Sequence, residues 1–298
     1  MKVVDVIEEY KKNKDLHVED IENLKEWSKK QLHLPPISEA HLIIFLHSCY
    51  WSIEQAKSTI DKYYTYRNAW PEFFADTNPD NPKVQRDMKI ALFTFLPTKT
   101  PENYKIFYTR LIDLDPAKFV FADLMRIMDM NLVMETMESS TCDGLVIVCD
   151  FENTTIGHLL KTSVMEVKKF LTYLQEALPV RLKAIHFINV GRVVDLLLPL
   201  AKPFIKKELL ECVHFYDAFE GILKFIPKEC FPEKYGGSCL SIQDLHAQMR
   251  ENLLRNGQYF IETEKLVSNE LLRDKTPSYM DKDLGIGAVG SFKKLEFD

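Results

Sequence analysis

Several features that would mark a chemistry are missing from this chain. Its formal charge is −6, so the basic face that nucleic acid requires is absent, and no RNP, zinc-finger or helix-turn-helix signature compensates. No apolar run is long enough to span a bilayer. The opening MKVVDVIEEYKKNKD lacks an apolar core, so no secretion signal is expected. The cysteines (Cys49, Cys142, Cys149, Cys212, Cys230, Cys239) show neither C-x-x-C nor zinc spacing. They are expected to be free thiols of a cytoplasmic protein. Catalytic signals are missing too: no G-x-S-x-G elbow occurs and no H-E-x-x-H pairs the histidines. No metal, no cofactor and no catalytic residue is therefore assigned. Gly285-Ile286-Gly287-Ala288-Val289-Gly290 fits a dinucleotide fingerprint, but too few residues follow it for a helix and second strand, so the match is read as accidental. Gly236-Gly237 lacks the Lys-Ser/Thr of a phosphate loop and reads as a turn.

What is present is ordinary globular material, 46% hydrophobic and 28% charged, with no internal repeat. Residues 1–93 read as an all-helical layer, with Ser38 and Ser52 as N-caps and Pro35-Pro36 as a stop. From about residue 104 strands alternate with helices. Strands are expected at Lys105–Leu111, Gly144–Asp150, Ala184–Val190 and Val213–Tyr216, and helices near 117–138 and 158–178. Ser241 caps a further amphipathic helix. This alternation predicts an α/β fold with a parallel or mixed sheet. The expected divisions are 1–93, 94–250 and a C-terminal helix and tail, 251–298.

Two segments carry the functional signal. Between the strands at 184 and 213 lies a helix holding Val193, Val194, Leu196, Leu197, Leu198 and Leu200, interrupted by Pro199 and Pro203. A crossover helix normally shows one apolar stripe. This one is apolar nearly all round, so its second face needs another partner: an internal lipid-like ligand, a membrane, or each in turn. The second segment, FADLMRIMDMNLVMETME, holds Met125, Met128, Met130, Met134 and Met137. Methionine adapts to irregular apolar shapes, so the cluster suggests a cavity, although ordinary core packing explains any single Met. Asp129 and Asn131 interrupt the run and either orient a ligand or face solvent. Arg181, Lys183, Lys202, Lys206 and Lys207 form a basic rim suited to a membrane surface, or simply a solvated face. His186 and His214 lie on apolar strands and read as hydrogen-bonded core residues.

At this point the sequence resembles the CRAL-TRIO (Sec14-like) lipid-transfer family, in its alpha-tocopherol transfer and retinaldehyde-binding branch. The resemblance rests on Ser38–Lys57, Leu114-Asp115-Pro116 with Asp123-Leu124-Met125-Arg126, and Gly144–Asp150. Ala184–Asn189 with Lys202-Pro203-Phe204, and Glu233-Lys234-Tyr235-Gly236-Gly237, continue it in order. The tail Gly290-Ser291-Phe292-Lys293-Lys294-Leu295 is similar to the ending of many insect members.

The resemblance implies a non-catalytic carrier with an N-terminal helical layer, a sheet floor, and a mobile helical lid, roughly Asn189 to Glu211, over a hydrophobic cavity. By position the cavity would include Met125, Met128, Leu132, Leu145, Ile147, Phe170, Leu174, Leu178, Leu182 and Ile185. Val194, Leu197, Leu200, Ala201 and Phe204 would line the lid. In that branch a basic cleft binds phosphoinositide headgroups; Arg181 and Lys183 match two of its positions, with Lys206 and Lys207 beside the lid. The family's F-L-R-A-R is here Phe45-Leu46-His47-Ser48-Cys49, and Cys212 stands where another arginine is usual, so half of the cleft is missing. The expected function is a monomeric carrier that encloses one retinoid, tocopherol or other isoprenoid-like lipid and exchanges it at membranes. A signalling or scaffold module on the same fold, binding a protein partner or phosphoinositide, is the alternative, and a hydrolase a third.

Overall fold

The computed structural model describes residues 4–275 and residue 280. The fingerprint-like glycines at 285–290 and the tail motif at 290–295 lie outside the described residues. The N-terminal layer comprises α1 (Val6–Lys12), α2 (Val18–Lys30), α3 (Glu39–Ser48), α4 (Ile53–Ala69), α5 (Pro71–Phe74) and α6 (Pro82–Asp87). Its starts follow local chemistry: Ser38 accepts from the His41 amide and Ser52 from the Gln55 amide, each satisfying an orphan donor. Leu42, Ile43, Phe45, Leu46, Ile60, Tyr66 and Trp70 are buried here, giving the layer a core continuous with that of the sheet.

A five-stranded sheet follows in the order β1 (Ala91–Lys99), β2 (Lys105–Leu111), β3 (Leu145–Asp150), β4 (Leu182–Ile188) and β5 (Val213–Tyr216). β1 pairs with β2 antiparallel, and the later pairs are parallel, joined by helical crossovers. The mixed α/β architecture agrees with the sequence reading. β1 is absent from the strands expected. It is an edge strand, and Pro97 sits within its irregular register between Phe95 and Lys99, which hides the strand pattern.

The expected helix at 117–138 begins later, as α7 (Phe121–Glu138), because Pro116 starts a short 3-10 turn. The expected helix at 158–178 divides into α8 (Ile156–Leu159) and α9 (Val164–Glu176). Ser163 and Glu166 form a capping box that starts a fresh helix there. α10 (Val194–Ala201) and α11 (Lys207–Leu210) lead into β5, and α12 (Ile242–Arg255) and α13 (Gly257–Thr263) follow. The turn at Gly236-Gly237 needs both glycines: Gly236 has φ +70°, and a Cβ on Gly237 would strike the Phe231 carbonyl.

A buried ion pair joins α4 of the N-terminal layer to α7. Arg67 donates to Asp129 at 2.8 Å, and the Tyr173 hydroxyl donates to the other Asp129 oxygen at 2.8 Å. Burial alone would lower the Arg67 pKa, yet the Asp129 carboxylate holds it well above its ordinary value. Asp129 therefore neither faces solvent nor points freely into a ligand space. Asn131 is likewise buried and donates to the Ile127 carbonyl at 2.8 Å.

Candidate functional site

Strand register divides the sheet into two chemically different faces. Phe107 pairs with Ile147, Ile147 with Ile185, and Ile185 with Val213. One step along, Cys149 pairs with Phe187 and Phe187 with Phe215, so these side chains share one apolar face. Phe187 stacks on Phe215 with centroids 5.0 Å apart, and Phe151 meets Phe187 edge-on at 5.4 Å. α7 covers this side, since Lys105, on the same face as Phe107, pairs with Glu135 of α7 at 2.8 Å.

The opposite face carries Tyr108, Arg110, Asp150, His186 and His214. It is closed by polar bonding and rings. Asp150 accepts from Tyr108, Arg110, Tyr235 and Asn189. His186 stacks on His214 and bonds Tyr216 at 3.2 Å, under the ring of Phe225. Burial first, and the neighbouring His214 second, pull the His186 pKa down to about 4. His186 is thus a hydrogen-bonded core histidine as expected, whereas His214 is half-buried and packs by stacking on His186 and Phe225.

The apolar face is deep but incompletely covered. Burial pushes the Cys149 thiol up to about 12, yet its side chain keeps accessible surface, as do Phe151, Phe187, Val213 and Phe215. The same holds on the elements above. Met125 and Phe170 are half-buried at the margin of the core, and α10 has no fully buried residue. Val194, Leu197, Leu200, Ala201 and Phe204 are all half-buried and stand outside the packed cluster. Helices normally bury an apolar stripe completely, each leucine contributing about 1.5–3 kcal/mol. A helix this apolar with no buried residue is incompletely packed.

The expected site residues divide accordingly. Met128, Leu132, Leu145, Ile147, Leu174, Leu178 and Ile185 are buried in the continuous core. Met125, Phe170 and Leu182 border it, and the α10 residues with Phe204 form the loosely covered segment expected to be the lid. Leu145 also lines a separate cavity of about 30 Å3, shared with His47, Lys105 and Arg181 at the opposite ends of the strands. Sequence reasoning missed Cys149, Phe151, Phe187, Val213 and Phe215. The period of two was available: if Ile185 faces the cavity, so must Phe187.

The basic residues fall into two groups. Arg181 donates to the His47 carbonyl at 2.7 Å and lies over the rings of Tyr50 (4.5 Å) and Trp51 (5.5 Å). Lys183 bonds the Tyr50 hydroxyl at 3.0 Å. Aromatic rings, not further arginines, thus surround these two cations. His47 is buried, and that burial together with Arg181 lowers its pKa to about 4, so it supplies no charge near neutrality. The second group lies at the start of α11. Lys206 pairs with Glu176, which also holds Lys62 at 2.6 Å. Lys207 is exposed, 3.9 Å from Glu211. Gln175 ties down the segment between α10 and α11, donating to the Phe204 carbonyl at 3.0 Å and accepting from the Lys206 amide at 2.7 Å.

The site is thus an incompletely covered apolar sheet face beside a loosely packed apolar helix. Residues 91–237 match the CRAL/TRIO domain, and residues 13–84 match the Pinta-like, UBA domain. The chain thus belongs to the CRAL-TRIO family of lipid-binding and transfer proteins. It is 21% identical over 235 residues to the alpha-tocopherol transfer protein-like protein of Mus musculus, covering 78% of this chain and 68% of that one. It is 20% identical over 302 residues to clavesin-1 of Xenopus laevis, covering 97% and 90%. The crystal structure of Sfh5 superposes with a TM-score of 0.46 at 14% identity, over 88% of this chain and 100% of that one.

Proposed function

We propose that this protein encloses one apolar or weakly polar lipid between the β3–β5 face and α10, and exchanges it at a bilayer by displacing α10 and α11. The carrying observation is the half-covered state of Val194, Leu197, Leu200, Ala201 and Phe204 above an equally accessible floor at Cys149, Phe187 and Phe215. A lipid burying a few hundred Å2 of apolar surface gains several kcal/mol before ordering costs, at about 25 cal/mol per Å2. No charged anchor is needed. The apolar lining and the relatives' alpha-tocopherol transfer name favour a retinoid, tocopherol or similar isoprenoid.

The outer surface supports membrane exchange. α10 packs on α8 and α9. On these elements Leu160 is 78% exposed, with Met165, Val164, Ile156 and Leu196 also exposed. Lys161, Lys202 and Lys207 stand among them in solvent. Apolar side chains flanked by lysines suit insertion at the headgroup boundary of an anionic bilayer. Phosphoinositide recognition has weaker support, because His47 is held neutral and Arg181 rests on Tyr50 and Trp51. Native mass spectrometry of the purified protein, with organic extraction, tests the carrier reading. A stoichiometric isoprenoid is expected. Absence of any bound lipid, with no displacement of an apolar fluorescent probe, would favour the scaffold reading instead.

A further inference from the structure

A second site lies on the polar side of the sheet. A groove of about 440 Å3 opens between the carboxyl ends of β2 and β3 and the flank of α12. Its lining includes Arg110, Ile112, Leu114, Lys234, Ile242 and Arg250, and contains no carboxylate residue. In a chain of net charge −6 this is a local reversal of sign. Two of the cations are balanced from behind: Arg110 by Asp150 and Glu152, and Lys234 by Glu152. Arg250 is different. It makes no ion pair among the described residues, and its Nε is buried without a hydrogen-bond partner. A buried N–H left unpaired costs free energy, and a guanidinium offers a planar fork that fits carboxylate or phosphate oxygens. Beside it the groove presents Ile112, Ile242 and the half-exposed Leu114, so it has an apolar wall as well as a cationic end. Its volume falls within the range of small-molecule sites.

We propose that this groove binds a small anionic amphiphile, its oxyanion on Arg250 and its apolar body along Ile112, Leu114 and Ile242. The groove is separated from the candidate lipid site by the whole thickness of the sheet. One ion pair links it to the lid: Arg110 also holds Asp150, whose other oxygen accepts from Asn189 at the entrance to α10. Occupation should therefore be felt at Asn189, a consequence that rests on the lid reading, whereas the binding itself does not.

Octyl phosphate, titrated below its micellar concentration and followed by backbone amide NMR, provides the test. Saturable shifts are expected at Gln243–Arg250, and inorganic phosphate and octanol should each bind about tenfold or more weakly. Arg250→Gln should lose about tenfold in octyl phosphate affinity while keeping its melting temperature, since Arg250 has no ion pair to break. Arg250→Lys should fall between the two. Octanol binding as tightly as octyl phosphate, or inorganic phosphate doing so, would overturn the proposal. So would shifts confined to 194–204 and indifferent to Arg250, because the probe would then occupy the lid cavity. That last outcome leaves the carrier reading standing, so the two can fail separately.

Discussion

Acidification should destabilise this protein well above the range in which carboxylates titrate, and the cause should be two buried histidines. Both His47 and His186 have folded-state pKa values near 4, against an ordinary value of 6.5. Burial is the leading cause at each, assisted by Arg181 at His47 and by His214 at His186. The folded protein thus binds fewer protons than the unfolded chain between these two values. Stability is full above pH 6.5 and falls as the pH drops towards 4, the sign expected for a histidine buried neutral. At pH 5 each histidine should have withdrawn about 2 kcal/mol, hence about 4 kcal/mol for the pair, a large share of a typical domain's stability. Both residues are more than nine-tenths buried, so solvent screening reduces this only in part. Urea unfolding at pH 7 and pH 5 measures the loss. His186→Phe should reduce the pH dependence by about half, and His47→Phe likewise, whatever each costs at pH 7. A stability flat between pH 7 and 5, or a pH dependence that both variants leave unchanged, would refute the reasoning.

Two further outcomes follow from the same geometry. Asp150→Asn removes a buried charge that faces Arg110, Tyr108, Tyr235 and Asn189, and should cost about 3–5 kcal/mol, read as a large fall in melting temperature. A melting temperature equal to the parent's would show that Glu152 alone suffices for Arg110. Leu197→Asp, on the half-buried lid, should abolish most liposome-dependent lipid transfer while costing about 1 kcal/mol or less of stability; unchanged transfer would remove the lid from the exchange step.

The local chemistry of the chain made much of the fold readable, and the misses have physical causes. Ser38, Ser52 and Ser241 cap helices as expected, because a capping hydroxyl acts on amides only two or three residues away. β2 and β5 appear at the limits expected, since short apolar runs bounded by turns leave little choice. β1 escaped because edge pairing tolerates Pro97 and a broken register. The excess of apolar residues in 193–200 was legible and corresponds to a helix with no buried residue. What it covers was only half legible. Strand alternation would have added Phe187 and Phe215, whereas the engagement of Asp129 by Arg67 and Tyr173 depends on residues more than forty positions away, beyond any local pattern.

The two ends of α10 are held by unequal means, and the inequality implies a direction of opening for the lid proposed above. At its entrance Asn189 donates to the fully buried carboxylate of Asp150 at 2.9 Å and to the Tyr235 hydroxyl at 2.9 Å. Asn189 and Gly191 have φ values of +56° and +49°, a left-handed kink that the surrounding bonds hold in place. At the exit the ties are the Gln175 amide and the Glu176 carboxylate, and their partner Lys206 is in solvent. Bonds to a partly hydrated partner are cheap to exchange for water or for an anionic headgroup, whereas stripping a buried charge of its donors costs several kcal/mol. The lid should therefore leave from Phe204–Leu210 and pivot at Asn189–Gly191. Hydrogen exchange should be faster in amides 204–211 than in 189–193, and Gln175→Ala, which loses both hydrogen bonds to this segment, worth about 1 kcal/mol each, along with one to the Leu171 carbonyl within its own helix, should speed the first segment alone. Uniform acceleration along the whole of 189–211 would mean that the segment unlatches at both ends together and has no hinge.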